Sequence, residues 1–229
     1  MNKSAPKSPN SPYTGGQSGS IAGEDSDGGW DHLAMALIKT LNVADAAPYI
    51  QGDGVFLRHP RPLDYSDWAQ VREESRAFLS PWEPVWPPDD LTRSAFRRRL
   101  RRYAREIREG TTYPFLLFRS DDRQLLGGIT LSNVARGVQQ SCTLGYWSGV
   151  RFAGQGYMTR GVRALIPYVF EELQLHRLQA ACLPENESSK AVLRKCGFRE
   201  EGYLRGYLRI NGAWRDHVVF GILRDDPRP

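Results

Sequence analysis

Leu144-Gly145-Tyr146-Trp147-Ser148-Gly149-Val150-Arg151-Phe152-Ala153-Gly154-Gln155-Gly156-Tyr157-Met158-Thr159 holds a strand, a glycine-bearing turn and the opening of a helix within sixteen residues. Glycine lets backbone approach a ligand closely and takes conformations closed to other residues. Free N–H groups at a helix start, reinforced by the helix dipole, attract an anion, and a pyrophosphate is the natural occupant. Two other phosphate loops fail letter by letter. A Walker loop needs Lys and then Ser or Thr after its second glycine, but Gly154 is followed by Gln155-Gly156; the dinucleotide fingerprint needs a glycine where Thr159 stands. An ordinary strand-turn-helix, with glycines for packing alone, is the plainer alternative.

Working outward, the chain alternates strands and helices. Strands are expected at Val55–Arg58, Tyr113–Arg119, Leu125–Leu131, Cys142–Ser148 and Arg177–Leu183. Asp64 or Ser66 can cap a helix reaching about Phe78, with Trp68, Val71 and Phe78 on one face. The run Ser80-Pro81-Trp82-Glu83-Pro84-Val85-Trp86-Pro87-Pro88 can be neither helix nor central strand, because proline removes donors and restricts its predecessor. Thr92 caps a basic helix ending at Gly110, with Phe96, Leu100, Tyr103 and Ile107 as its apolar stripe. The long helix opening at Gly156 turns Met158, Val162, Leu165, Ile166, Val169 and Leu173 inward, and Pro167 should kink it. Ser188–Cys196 forms a helix closed by Gly197. Tyr203–Ile210 and Ala213–Leu223 make a hairpin around Asn211-Gly212. This order indicates an α/β domain built on a mixed sheet with helices on both faces.

Composition bounds the rest. A chain of 229 residues with 40% apolar content supports one sizeable core. Residues 1–50, rich in Ser, Gly, Pro, Asn and Asp, read as a disordered or weakly structured extension, with residues 51–229 as the folded domain. Within the extension, Leu33, Leu37, Ile38 and Leu41 recur at helical spacing, and Met35 is a candidate alternative start. No apolar stretch approaches the roughly 18–20 residues of a membrane span, so no membrane partner is expected. Cys142, Cys182 and Cys196 lack metal-ligand spacing and read as reduced thiols of a cytoplasmic protein, with no metal. A formal charge of +5 suits an acidic ligand or a ribosomal surface but selects neither.

Arg151-x-x-Gly154-x-Gly156 resembles the coenzyme A pyrophosphate motif of the GNAT acetyltransferases. Asn186-x-x-Ser189, followed by Gly197-Phe198 and Glu201-Gly202, resembles the second signature of that superfamily. Pro81-Trp82-Glu83-Pro84, His176-Arg177 and Trp214-Arg215-Asp216-His217 are similar to the ribosomal-protein-alanine N-acetyltransferases of the RimJ type. The likeness runs from about residue 54 to 224. It implies the GNAT fold: a mixed, mostly antiparallel sheet of about six to seven strands, helices on both faces, and a bulged central strand splayed from its neighbour.

The same resemblance implies an acetyl-CoA-dependent N-acetyltransferase. Ala153, Gly154, Gln155, Gly156, Tyr157 and Met158 would supply the phosphate cradle, with Arg151 in the motif and the Thr159 hydroxyl added. Backbone groups of Trp147, Ser148 and Gly149 would face the pantetheine arm, one of them polarising the thioester carbonyl. Asn186 would hold that arm. Ser189 is the candidate acid for the departing thiolate; the alternative is a first-turn hydroxyl satisfying local amides. Glu83 is the first candidate base and, with Trp82, borders the amine channel. Asp216 is the second: a plain two-residue turn places it opposite Tyr207, a further substrate-side candidate. The expected acceptor is a protein N-terminus, such as that of a ribosomal protein with a small first residue, and the chain is expected to be a monomer or homodimer. A small-molecule amine, a non-ribosomal peptide, or a non-catalytic role in ribosome assembly are the alternatives. The arginines of 93–108 read either as a solvated face or as a contact for ribosomal RNA.

Overall fold

The computed structural model describes residues 48–228. The helix expected over Leu33–Leu41 and the candidate start at Met35 lie outside these residues. Eight strands form one sheet: β1 (Tyr49–Gln51), β2 (Val55–Arg58), β3 (Tyr113–Arg119), β4 (Leu125–Ala135), β5 (Ser141–Ser148), β6 (Arg177–Cys182), β7 (Arg199–Ile210) and β8 (Ala213–Leu223). Their spatial order is β1-β2-β3-β4-β5-β6-β8-β7. The strand beyond the expected six to seven is β1, whose Tyr49 pairs with Arg58 two residues before the expected domain boundary. Among the described residues five α-helices join them: α1 (Tyr65–Glu74), α2 (Arg76–Leu79), α3 (Arg93–Arg108), α4 (Tyr157–Pro167) and α5 (Glu187–Lys195).

Both sheet faces are covered, which explains the unbroken apolar run in β3. Phe115 and Leu117 point into a core with Val162, Leu165 and Ile166 of α4. Leu116 and Phe118 point the other way, onto Trp68 and Val71 of α1 and Phe96 of α3. Alternate residues of a strand face opposite sides, so a strand buried on both reads as continuously hydrophobic. Gly161 sets the approach of α4, since a Cβ there would lie 2.8 Å from Leu117 Cδ1.

All neighbouring strands run antiparallel except β5 and β6, which are joined through α4 and run parallel. Their pairing ends at Leu144↔Ala180, although β5 continues to Ser148. Beyond that point the strands part. The expected bulge at this end of β5 is absent: its register with β4 is unbroken from Leu131↔Leu144 to Gly127↔Ser148 and shifts only between Ser132 and Ala135. The gap therefore arises on the β6 side.

Local chemistry accounts for other departures. Asp64 precedes α1 without capping it, because its carboxylate is taken by Arg58, at 2.6 and 2.8 Å, and by the Arg61 amide. The helix then breaks at Ser75, whose buried hydroxyl accepts from the Val150 amide at 2.9 Å. Ser80–Trp82 is a single 3-10 turn, compatible with Pro81 because a first-turn proline needs no N–H. Pro167 ends α4, and the chain continues as a π turn over Tyr168–Glu172. In the terminal hairpin, Leu208 pairs with Arg215 and Leu204 with His217, so three residues of β7 face Asp216 alone. Gly206, at φ 54°, takes the bend. Tyr207 is therefore not the simple cross-strand partner of Asp216.

Candidate active site

The parting of β5 and β6 opens a cavity of about 570 Å³, walled by both strands, the α4 entrance, α5, the Ser80–Trp82 turn and β8. At one end of it, over 154–159, the backbone is prepared for an anion. Gly154 and Gly156 take left-handed φ of 74° and 80°, and a Cβ on either would meet nothing within 4 Å. Arg160 makes the first helical hydrogen bond, to Gly156 O at 3.1 Å. Among the described residues the amides of Gly154, Gln155, Gly156, Tyr157, Met158 and Thr159 therefore have no carbonyl or side-chain acceptor. Six consecutive unpartnered donors at an unplugged helix mouth fit a pyrophosphate.

Some side chains in this stretch do other work. Arg151 pairs with Glu74 at 3.0 Å, Gln155 Nε2 donates to Arg151 O at 2.7 Å, and the Tyr157 hydroxyl accepts from Arg119 at 3.4 Å. Gln155 and Tyr157 thus leave only their amides free, and Arg151 anchors the turn to α1; none of the three lines the cavity. Ala153, Met158 and Thr159 do line the cavity.

Along β5 the backbone assignment changes. The Gly149 amide donates to Leu126 O at 2.8 Å, and a Cβ on Gly149 would strike Val71 at 2.7 Å. Gly149 is a packing glycine, with no amide left for a thioester. In an antiparallel ladder alternate residues direct both backbone groups to the same neighbour, so Trp147 also faces β4. The groups of Tyr146 and Ser148 face the gap. Trp147 is nonetheless on the cavity wall.

Asn186 and Ser189 line the opposite wall. Asn186 Oδ1 caps α5 by accepting from the Ser189 amide at 3.0 Å. The Ser189 hydroxyl lies 2.8 Å from the Tyr146 phenol oxygen. Burial pushes the Tyr146 pKa well above the ordinary phenol value, outweighing the opposing Ser189 hydrogen bond. A neutral phenol and a serine hydroxyl thus form a proton-bearing pair.

Trp82 and Glu83 border the cavity. Both Glu83 oxygens are occupied: Arg72 forks onto them at 2.8 and 2.7 Å, and Trp86 Nε1 adds a third bond at 2.7 Å. Arg72 itself is held between the rings of Trp86 and Trp147, 4.0 and 4.9 Å from its Cζ. Its Nε is a buried donor with no partner among the described residues. Glu83 is built in as a strut. Asp216 is not on the cavity wall; it closes the hairpin bulge by accepting from the Gly206 amide and the Tyr203 hydroxyl, both at 2.7 Å. Those bonds, the amide's first, hold its carboxyl below the usual range. Tyr207 lies outside the wall, its ring 5.6 Å from His217. His217 is on the wall, as is Tyr146, and neither stood among the expected site residues. Among the described residues no cluster could hold a metal.

Residues 55–199 match the family model described as the acetyltransferase (GNAT) domain. The chain belongs to the GNAT acetyltransferase family. As a member it is an enzyme, a transferase drawing its acetyl group from acetyl-CoA. It is 33% identical over 177 residues to the probable N-acetyltransferase YjcK of Bacillus subtilis, covering 77% of this chain and 98% of that protein. It is 36% identical over 161 residues to the ribosomal protein uS5-alanine N-acetyltransferase of Escherichia coli, covering 70% and 83%. The solved structure of Mycobacterium smegmatis RimJ in complex with CoA-disulfide superposes with a TM-score of 0.72 at 33% identity, covering 77% of this chain and 86% of that one. These likenesses bear out the GNAT fold expected from the sequence.

Proposed function

We propose that this GNAT enzyme acetylates the N-terminal α-amine of a protein, a ribosomal protein beginning with alanine or another small residue, by direct transfer in a ternary complex. The run of six unpartnered amides over 154–159, opening into the cavity that Ser189 and Tyr146 line, carries this reading. It supplies a place for the two linked phosphates of acetyl-CoA, while the free strand groups of Tyr146 and Ser148 offer the pantetheine arm a partner. The Ser189 hydroxyl gives its proton to the departing thiolate, and the Tyr146 phenol steadies it.

The uS5-alanine and RimJ names borne by similar proteins support a protein N-terminus as acceptor and a cytoplasmic place of action. The basic helix adds little to that choice. Of the eight arginines in α3, Arg98, Arg99, Arg102 and Arg105 pair with Asp89, Asp90, Glu106 and Glu109. A solvated face accounts for these without ribosomal RNA. Mass spectrometry of protein N-termini in a deletion strain tests the acceptor: one or a few ribosomal N-termini should lose their acetyl group. An unchanged set of N-termini would move the acceptor to a small amine.

A further inference from the structure

We infer that His217 is the proton acceptor of the transfer, its Nε2 taking the proton that the acceptor amine loses. The assignment rests on the acetyl-transfer reading above and deepens it. His217 is only 3% exposed, yet it forms part of the cavity wall with Ser189 and Tyr146. Its Nδ1 lies 3.0 Å from the Arg215 carbonyl oxygen. A carbonyl only accepts, so Nδ1 carries the ring hydrogen and Nε2 keeps its lone pair. The Tyr207 ring stands edge-on at 5.6 Å and helps fix the imidazole. Nε2 has no hydrogen-bond partner among the described residues and is not a sealed, buried atom.

The other titratable groups on the wall are already committed. Burial holds the Tyr146 phenol and the Cys182 thiol in their neutral forms. Lys195 is a cation with no lone pair to offer. Glu83 receives three hydrogen bonds from Arg72 and Trp86. Asp216, off the wall, is spent on the hairpin bulge.

As the amine nitrogen bonds to the acetyl carbon, its proton passes to His217 Nε2. The carbon–sulfur bond breaks, and the thiolate takes the Ser189 proton. His217 then returns its proton to solvent and Ser189 regains one, leaving amide and free thiol as the products.

His217→Ala should bind acetyl-CoA in calorimetry like the parent. Its kcat should fall ~100-fold or more with whichever peptide, from a panel differing in first residue, the parent acetylates fastest. Added imidazole should restore part of the lost rate, and His217→Gln, which keeps the ring's bulk and polarity, should stay slow. Unchanged kcat in either variant overturns the assignment alone. So does a loss explained by weakened cofactor binding, or one that imidazole leaves untouched. A parent chain showing no heat with acetyl-CoA overturns the transfer reading beneath it as well.

Discussion

Ser189 occupies the first turn of α5 with its amide capped by Asn186, so its hydroxyl is released from local capping and meets the Tyr146 phenol at 2.8 Å. Removing that oxygen should slow the step that expels the thiolate without loosening the phosphates. Ser189→Ala is expected to lower kcat by ~10–100-fold while calorimetric affinity for acetyl-CoA stays within about twofold. Equal kcat in the variant would return the serine to a structural part. At this scale the open helix mouth with its left-handed glycines was legible, because glycines ahead of a helix carry their meaning in backbone conformation. Tyr146 and His217 were not legible. Which way the Tyr146 backbone groups point depends on which neighbour pairs with Gly149, and the place of His217 on the wall depends on β8 lying beside β6, a pairing distant in sequence.

Between elements, the Arg72–Glu83 pair ties α1 to the proline-rich segment, and the Asn211 amide ties the hairpin tip to Glu83 O at 2.9 Å. With 7% and 20% of the two side chains exposed, removing one partner strands the other's charge away from water. Arg72→Ala should therefore cost about 3–5 kcal/mol in urea unfolding; a loss under 1 kcal/mol would mean that Glu83 rehydrates freely. Thr92→Ala should cost about 1 kcal/mol, lowering Tm by ~2–4 °C, since the Thr92 hydroxyl caps Ala95 at the start of α3. That cap was readable from residue type and position. Pro167 was readable only as a disturbance, because whether a helix kinks or continues as a π turn is settled by the packing of Val169 and Phe170 into the core. The two-residue excess in β7 escaped for a related reason: Asn211-Gly212 fixes the register next to the turn, and nothing local carries it past Gly206.

For the molecule as a whole, the buried thiols and phenols set its response to alkali. Burial raises Cys142 and Tyr168 to about 12 and Cys196 to about 11. In the unfolded chain such thiols ionise near 8.5 and phenols near 10. Between those values and the raised ones the folded chain binds more protons than the unfolded, so stability falls as pH rises. The urea midpoint should hold up to about pH 8 and decline steadily toward pH 11. Cys142→Ala should flatten the lower part of that decline, whereas an unchanged slope would mean that the thiol is already hydrated in the folded state. The overall plan, a mixed sheet covered on both faces, was legible because apolar strands alternated with amphipathic helices. β1 was not, since three residues find their place only by pairing with β2.

Acetyl-CoA titrated calorimetrically into the parent chain and into Gly156→Glu tests the catalytic account at its root. The account predicts saturable binding at one site per parent chain. It predicts no measurable heat for the variant, whose carboxylate would stand in the open space facing the Gly156 Cβ position. Equal binding by both proteins, or by neither, would contradict it.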